Sequence, residues 1–358
     1  MKKFTRLFAA GALVLSLGLA AGCSSNTETK EAEKPAPEPA KVQEVNLYTD
    51  RHYDTDDQLY KIFTEETGIK VNVVKGKSDE LIERLKREGK DTQADLLITA
   101  DVGRLVLAKQ KGLFQPVNSE ALNASIPENL RDPENQWYGL TVRARVIAYD
   151  KNLVDPSKIA TYDDLTKPEW KGKILVRSSS NIYNQSILAS FIELHGEEKA
   201  KEWAKGVLAN MARDPEGGDT DQMVALAANE GELAITNTYY YGRLSSSTNP
   251  EEKQVAEKIG LIFPDQDGTG THINISGIGL TKDAKNAEAA VKFMEFLASE
   301  KAQTEFAQNN HEYPANPNVE ASELLKSWGD FKRQEINLAR LGELNAQAVK
   351  IFDEIGWK

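Results

Sequence analysis

The sequence predicts an α/β fold built from two lobes. Short apolar runs alternate with amphipathic segments over residues 45–112, and the same alternation restarts after residue 150. Two long strand-like segments without internal turn signals, near 142–147 and 271–277, connect the two blocks. Because a chain that crosses twice between lobes forms a hinge, we expect a ligand cleft between them.

The first block reads as strands and helices in strict alternation, which is typical of a parallel sheet. The segment at 54–68 places apolar residues on one face and stops at Gly68, and Ser78 is a candidate N-cap for the next helix. The predicted strands are VNLYTD (45–50), IKVNVVKG (69–76) and ADLLITA (94–100), and the predicted helices are DTDDQLYKIFTEETG (54–68), SDELIERLKREG (78–89) and VGRLVLAKQKG (102–112).

The second block begins with WYGLTVRARVIAYD, a strand-like segment at 137–150 that spans the first crossing. Predicted helices follow at 184–196, 197–211 and 219–231, with strands at 232–237, 260–264 and 271–280. From about residue 286 the pattern is helical to the end. We therefore assign 45–142 and 275–358, with the C-terminal helices, to lobe 1, and 143–274 to lobe 2.

The N-terminal segment is typical of a bacterial lipoprotein signal. Residues 1–22 join a basic start to a short apolar stretch, and LAAGC ends at Cys23, the single cysteine. We expect Cys23 to carry the lipid, although an ordinary signal peptide with a chance cysteine is the alternative. Residues 23–44 contain no aromatic side chain and are rich in Glu, Lys, Pro and Ala, which predicts a disordered tether to the membrane.

The charge of the chain limits its partners. The formal net charge is −11, and removing a signal with three basic residues leaves 41 basic and 55 acidic residues, a net of −14. This balance disfavours nucleic acid and anionic membrane surfaces and is compatible with a cationic ligand. We expect a monomer.

Sequence signatures of enzymes are absent. The chain has no G-x-S-x-G, Walker A, H-E-x-x-H or C-x-x-C motif. Its four histidines, His52, His195, His272 and His311, are far apart in sequence. The loop RSSSN (177–181) follows a strand and suits either an anion at the next helix N-terminus or plain helix capping. We expect a binding protein and not an enzyme.

Tyrosines stand at the ends of several predicted strands. Tyr53, Tyr183, Tyr239 and Tyr240 come from three separate loops, and His52 adjoins the first. The carboxyl edge of an open α/β sheet is where ligands bind. A trivalent metal favours oxygen anions and displaces phenol protons. Three phenolates neutralise Fe³⁺, and a fourth leaves one negative charge.

A buried negative charge requires a nearby cation. Arg243 follows the tyrosine triplet, and Arg143 and Arg145 lie on the first crossing strand. Ordinary surface or interlobe salt bridges are an equally open interpretation of these arginines.

Four distant motifs occur together and in the same order as in a known family: DRHYDTD (50–56), SSSNIYNQS (178–186), TNTYYYGR (236–243) and THINISGIG (271–279). On these motifs the chain resembles the ferric-iron-binding proteins of ABC importers, the FbpA family and in particular its FutA branch, over about residues 45–355. The resemblance implies a class II periplasmic-binding-protein fold. Its two lobes would close on one ferric ion and deliver it to an ABC permease and ATPase.

The resemblance also implies roles for individual residues. His52 matches a position that is a metal ligand in some members and only a neighbour in others, and Tyr241 matches a tyrosine that is not a ligand. Arg143 and Arg243 would bond phenolate oxygens or a carbonate-like anion. The implied metal ligands are Tyr53, Tyr183, Tyr239 and Tyr240.

Other functions remain open on the residues alone. A cleft lined by aromatic side chains also binds polyamines by cation–π contact, and the same fold accepts organic anions. Ferrous iron is a further possible cargo. An iron-dependent enzyme would need open coordination positions, and four or five protein ligands leave little room for them. An exported protein in the periplasm or at the cell surface fits each binding function.

Overall fold

The structure is a computed structural model that describes residues 43–358. The predicted signal peptide, Cys23 and nearly all of the tether lie outside the described residues. The first strand begins at Glu44, the last residue of the predicted tether. Within 43–358, no helix combines the length and the apolar character needed to cross a membrane.

The described part of the chain contains nine strands. They are β1 (Glu44–Thr49), β2 (Lys70–Lys75), β3 (Leu96–Thr99), β4 (Trp137–Asp150), β5 (Ile174–Leu175), β6 (Leu233–Asn237), β7 (Ile259–Ile262), β8 (Ile273–Leu280) and β9 (Tyr313–Pro314).

Fourteen α-helices lie within the same range. They are α1 (Asp54–Thr67), α2 (Ser78–Glu88), α3 (Val102–Gln110), α4 (Glu120–Ser125), α5 (Ile182–His195), α6 (Glu197–Ala209), α7 (Asp219–Ala227), α8 (Thr238–Ser246), α9 (Pro250–Lys258), α10 (Ala287–Ala298), α11 (Glu300–Asn309), α12 (Glu323–Ser327), α13 (Ala339–Glu343) and α14 (Asn345–Ile355). Short 3₁₀ turns occupy Gly89–Asp91, Glu128–Leu130, Pro156–Lys158, Tyr162–Thr166 and Pro168–Trp170.

Lobe 1 is built on a sheet in the order β2-β1-β3-β8-β4. Strand β1 pairs in parallel with β2 and β3, as the alternating pattern predicts, because α1 and α2 carry the chain back between strands. Strand β8 is antiparallel to both β3 and β4. The sheet is therefore mixed, since β8 returns from the other lobe and not through a helical crossover.

Strand β4 is shared by the two lobes. Its first part, up to Ala144, pairs with β8 of lobe 1, and from Arg145 onward it pairs with β6 and β7 of lobe 2. The crossing expected near 142–147 is thus confirmed. Side chains two apart on a strand share a face, so Arg143 and Arg145 point to the same side at the point of crossing.

The C-terminal helices contact both lobes. Helices α10 and α11 pack with lobe 1, and β9 pairs with β4. Helix α13 lies against α3 of lobe 1 and α5 of lobe 2, and α14 packs on α5 and α6. The sequence assignment of all of 275–358 to lobe 1 differs from this arrangement. Helical periodicity shows that α14 has an apolar face but not which lobe that face covers.

One large buried apolar cluster runs through both lobes and follows β4, in which 13 of 14 positions are buried. A smaller cluster lies in lobe 2 and includes Met223, Leu226 and Ile259. The continuous core joins the lobes where the two arginines of β4 face the cleft. The fold therefore places charged groups in a dry interlobe region.

Candidate metal site

Three helix N-termini converge on the cleft between the lobes. Tyr53 is the N-cap of α1, Tyr183 is the second residue of α5, and Tyr239 and Tyr240 are the second and third residues of α8. Each of these helices follows a strand: α1 follows β1, α5 follows β5 and α8 follows β6. Since a helix N-terminus carries partial positive charge, this position favours negatively charged oxygens.

The structure brings the four predicted tyrosines together. The hydroxyl oxygens of Tyr183 and Tyr239 lie 3.2 Å apart. The ring of Tyr53, from lobe 1, meets the ring of Tyr239 edge-on with centroids 6.2 Å apart. The rings of Tyr239 and Tyr240 are 4.1 Å apart. One phenol of lobe 1 therefore faces three phenols of lobe 2.

The tyrosine triplet lies in the first turn of α8, a helix that the sequence pattern did not predict. Successive residues of a helix are about 100° apart, so Tyr239 and Tyr240 can reach one site while the third points elsewhere. The ring of Tyr241 instead packs 5.8 Å from that of Trp328. Gly242 lies inside α8, where an added Cβ would come within 2.6 Å of the Cβ of His311. Its role is close packing.

Burial keeps the phenols of Tyr53, Tyr183 and Tyr239 neutral at ordinary pH. Tyr239 is 1% exposed. Burial raises the pKa of Tyr53, Tyr183 and Tyr239 above the usual value for a phenol. Glu312 raises that of Tyr53 further, and neighbouring phenols raise those of Tyr183 and Tyr239. These three phenols therefore need a bound cation before their oxygens become anionic.

His52 lies at the edge of this cluster. Its side chain is exposed, its ring is 5.2 Å from that of Tyr53, and Nδ1 lies 3.3 Å from the carbonyl oxygen of Asp50. Its position is on the wall of an interlobe groove of about 770 Å³. Both cations and carboxylates line the groove: Arg51, Lys75, Lys77, Arg104 and Arg177, together with Asp50, Asp79 and Glu80.

The two arginines expected beside the metal ligands occupy different environments. Arg143 is buried, and its Cζ lies 5.1 Å from the ring centre of Tyr183. It bonds the carbonyl oxygen of Ala100 and, at 3.3 Å, the Ser276 hydroxyl. Arg243 is exposed on α8, with its Cζ 5.7 Å from the ring centre of Tyr53. Arg143 therefore lies close enough to Tyr183, and Arg243 close enough to Tyr53, to stabilise the negative charge of a phenolate.

Arg145, the third arginine singled out in the sequence, is buried further inside lobe 2. Its guanidinium donates to Asp219 at 2.7 Å and to Asn184 at 2.8 Å. Its Cζ is 5.8 Å from the ring centre of Tyr183. It is therefore a structural ion-pair residue that also lies near the phenol.

Two further arginines beside the tyrosines were missed. The Cζ of Arg51 is 4.9 Å from the ring centre of Tyr53, and that of Arg177 is 5.4 Å from the ring centre of Tyr183. Both residues lie inside segments that the sequence analysis quoted, DRHYDTD (50–56) and RSSSN (177–181), but no role was predicted for them. The partner of Arg51 at Glu312 is 261 residues away, and nothing in the sequence indicates that pair.

These arginines belong to a charge-balanced ionic network. Arg51 bonds Asp56 and Glu312, Arg143 lies 3.8 Å from Asp101, and Asp219 pairs with both Arg145 and Arg177. When all are ionised, four cations face four anions: Arg51, Arg143, Arg145 and Arg177 against Asp56, Asp101, Asp219 and Glu312.

The remaining histidines do not join this cluster. Burial lowers the pKa of His272 to about 3, and its Nδ1 lies 3.1 Å from Gln334. His195 ends α5, and His311 precedes β9. Among residues 43–358, no three His, Cys, Asp or Glu side chains are grouped to hold a metal ion. The tyrosine cluster is accordingly the candidate metal site.

Comparison with known proteins agrees with these features. The model of the bacterial extracellular solute-binding protein family matches residues 91–334. Iron uptake protein A1 of Synechocystis is 48% identical over 99% of this chain and 98% of its own length.

Two solved structures share the fold at full length. The FutA (IdiA) protein of Trichodesmium, in complex with iron and citrate, is 52% identical with a TM-score of 0.84, covering 88% of this chain and 100% of that one. The ferric binding protein of Campylobacter jejuni is 47% identical with a TM-score of 0.85, at the same coverage of both chains.

These matches confirm the resemblance and the two-lobe periplasmic-binding-protein fold. They also confirm the expectation of a solute-binding protein and not an enzyme, because the family and these relatives bind solutes. The chain therefore belongs to the bacterial extracellular solute-binding protein family.

Proposed function

We propose that this protein captures Fe³⁺ in the cleft between its lobes, with the ion as transported solute. The single observation that carries the proposal is the convergence of four phenols from both lobes, with the Tyr183 and Tyr239 hydroxyl oxygens 3.2 Å apart. The ligands are the phenolates of Tyr53, Tyr183, Tyr239 and Tyr240. Iron in the names of the relatives supports this choice of metal over a polyamine or an organic anion.

The chemistry of the cluster favours a trivalent ion. Burial raises the pKa of Tyr53, Tyr183 and Tyr239, so a weakly polarising cation would leave their protons in place. A hard trivalent ion displaces the protons and binds the resulting oxygen anions. The site thus disfavours monovalent cations and polyamines, which bind aromatic faces without removing protons.

The surrounding charges suit the resulting anionic centre. Four phenolates around Fe³⁺ carry one net negative charge, and the buried ionic network is neutral. Arg243 adds one cation, with its Cζ 5.7 Å from the ring centre of Tyr53. This arrangement compensates a ferric centre, whereas ferrous iron with four phenolates would leave a second negative charge.

Coordination by four tyrosines leaves room for a further ligand. We propose that either His52 or a small anion fills it, a carbonate-like ion or a carboxylate. The groove beside His52 carries cations and also the carboxylates Asp50, Asp79 and Glu80, so its charge does not select between the two ligands. Iron and citrate occur together in the Trichodesmium structure, which supports the anion.

We propose that the protein is exported and delivers its iron from the outer side of the membrane. Cys23 would carry a lipid that anchors the mature chain, and residues 23–44 would tether its body at the periplasmic or cell surface. The loaded monomer would deliver iron to an ABC permease and ATPase. Replacing Cys23 by Ala should release the protein from the membrane fraction, and continued membrane retention of that variant would contradict the anchor.

The decisive experiment is titration of the purified protein with ferric citrate. We expect a visible phenolate-to-iron charge-transfer band that saturates at one iron per chain. A colourless protein with no bound iron overturns the proposal. Parallel titrations with spermidine and, under anaerobic conditions, with ferrous salt test the two alternative cargoes.

A further inference from the structure

The segment that carries part of the candidate site has little sheet support. Strand β5 ends at Leu175, and the chain then runs through Arg177 and the serines at 178–180 before α5 begins at Ile182. The side chain of Arg177 and the ring of Tyr183 both depend on this segment. Its backbone polar groups are held mainly by side chains and by a distant part of the chain.

The distant part consists of Trp357 and Lys358, which follow α14 and Gly356. The indole Nε1–H of Trp357 donates to the carbonyl oxygen of Arg177 at 3.3 Å. The backbone N–H of Ser179 donates to the carbonyl oxygen of Lys358 at 2.8 Å. These two bonds join residues about 180 positions apart in the sequence. From the other side, the Asn184 amide also donates to the carbonyl of Arg177, at 2.8 Å.

Trp357 is itself firmly placed. It is 3% exposed, and its ring lies 5.0 Å from that of Phe352 on α14. Helix α14 packs on α5, and Asn345 at its start bonds Gln185 of α5 at 3.0 Å. The indole and the helix that carries Tyr183 therefore belong to one packed unit.

The side chain of Arg177 forms one ion pair among residues 43–358. Its ion pair with Asp219 is 3.4 Å long, and within residues 43–358 its Nε has no hydrogen-bond partner. The location of its guanidinium, 5.4 Å from the ring centre of Tyr183, thus depends on where the backbone is fixed. Trp357 is a buried side chain outside α5 that donates to the carbonyl of Arg177, in addition to Asn184 of α5.

We propose that Trp357 is a positioning residue for the iron site, acting through the backbone of Arg177. The inference rests on the proposed function. By holding the 177–179 backbone, the indole keeps the Arg177 guanidinium close to the phenolate of Tyr183. Without the indole hydrogen bond, the Arg177 guanidinium moves away from the Tyr183 phenolate. The energy of the phenolate electrons then rises, because a nearby positive charge no longer stabilises them. The ferric protein then absorbs at longer wavelength and releases iron faster.

The test compares Trp357→Phe with a matched control, Trp203→Phe. Both tryptophans are buried and pack in lobe 2. Each donates its indole N–H to a backbone carbonyl. The acceptor of Trp203 is the carbonyl of Tyr162, at 3.0 Å. Phenylalanine keeps most of the apolar contact in each, and thermal melts verify folding. We expect only Trp357→Phe to shift the charge-transfer band to longer wavelength and to lose iron to a competing chelator several-fold faster.

A double variant identifies the route. In an Arg177→Gln background, adding Trp357→Phe should produce no further shift of the band, because the displaced cation is already absent. Faster hydrogen exchange of the Ser179 amide in Trp357→Phe provides a second readout of the loosened segment.

Three outcomes overturn the inference. Equal band positions and release rates for the two tryptophan variants overturn it alone, as does a full additional shift in the Arg177→Gln background. A wild-type protein that takes up no iron overturns the proposed function, and this inference with it.

Discussion

The hydroxyl oxygens of Tyr183 and Tyr239 lie 3.2 Å apart, although the two residues are 56 positions apart and begin different helices of lobe 2. Two buried phenols at this distance share a hydrogen bond while both are neutral. A cation that binds both must displace the shared proton. Lobe 2 therefore presents a preformed part of the site, to which lobe 1 adds Tyr53.

Replacing Tyr239 or Tyr240 by Phe should remove most of the charge-transfer absorbance per iron, because each loses one oxygen ligand. We expect iron affinity to fall at least tenfold, about 1.4 kcal/mol or more. Absorbance titration against a competing chelator measures both effects.

Tyr241→Phe is the matched control, since it is the same substitution in the same helical turn. The Tyr241 hydroxyl donates to the carbonyl of Ala256 at 3.4 Å, away from the cluster. The band and the affinity should stay within about twofold of wild type, a difference of ~0.4 kcal/mol. Equal bleaching by all three variants would contradict the assignment of ligands.

Arg243→Gln tests the charge balance of the site. Removing this cation should weaken iron binding several-fold and make the remaining binding less sensitive to salt, because a screened attraction is lost. Arg87→Gln, at an exposed arginine of α2, removes the same charge elsewhere. Iron affinities of the two variants, measured at low and at high salt, distinguish a charge at the site from a charge elsewhere on the surface. Identical behaviour of both variants would leave Arg243 as a general surface charge.

Much of this site could be predicted, because the sequence pattern indicates where the strands end. Tyr53, Tyr183 and the tyrosine triplet each follow an apolar run, and parallel strands bring such ends to one edge. The helical start at Thr238 was missed, because three aromatics and a glycine are poor helix formers in isolation and tertiary contacts decide.

The buried ion pairs were not predictable from local pattern. Arg51 and Glu312 are 261 positions apart, and neither residue type indicates burial by itself. The same holds for α14, whose apolar face was evident but whose partner in lobe 2 was not. Periodicity gives the face of an element, whereas the choice between partners depends on the whole packed chain.

Gly342→Ala should disturb lobe closure. Helix α13 lies between α3 and α5, and a Cβ at Gly342 would come within 2.4 Å of the Cβ of Val106 on α3. The added methyl group should push the lobes apart, so iron dissociates faster and small-angle scattering gives a larger radius for the loaded protein. Gly268→Ala, where the nearest atom is 3.8 Å away, is the control. Unchanged scattering and release in Gly342→Ala would show that α13 does not limit closure.

Asp101 connects the lobes at the end of β3. Its carboxylate accepts from the Ser186 hydroxyl of lobe 2 at 2.9 Å and from the Asn274 amide at 2.8 Å, and it caps α3 through Gly103 at 2.7 Å. Burial raises its pKa to about 6, although Arg143 and Arg104 act in the opposite direction. The native state therefore holds this proton more tightly than the unfolded chain does.

This shift makes stability depend on pH with a definite sign. The raised pKa of Asp101 contributes to the free energy of unfolding. This contribution is fully present below the pKa of Asp101 in the unfolded chain, near 3.8, and it is lost as the pH rises through about 6. Relative to Asp101→Asn, the iron-free wild type should lose about 2 kcal/mol of unfolding free energy between pH 4 and 7. Urea unfolding of both proteins at pH 4, 5, 6 and 7 measures the difference. Parallel pH profiles, or a gain in wild-type stability over that range, would show that Asp101 is ionised in the folded protein well below pH 6.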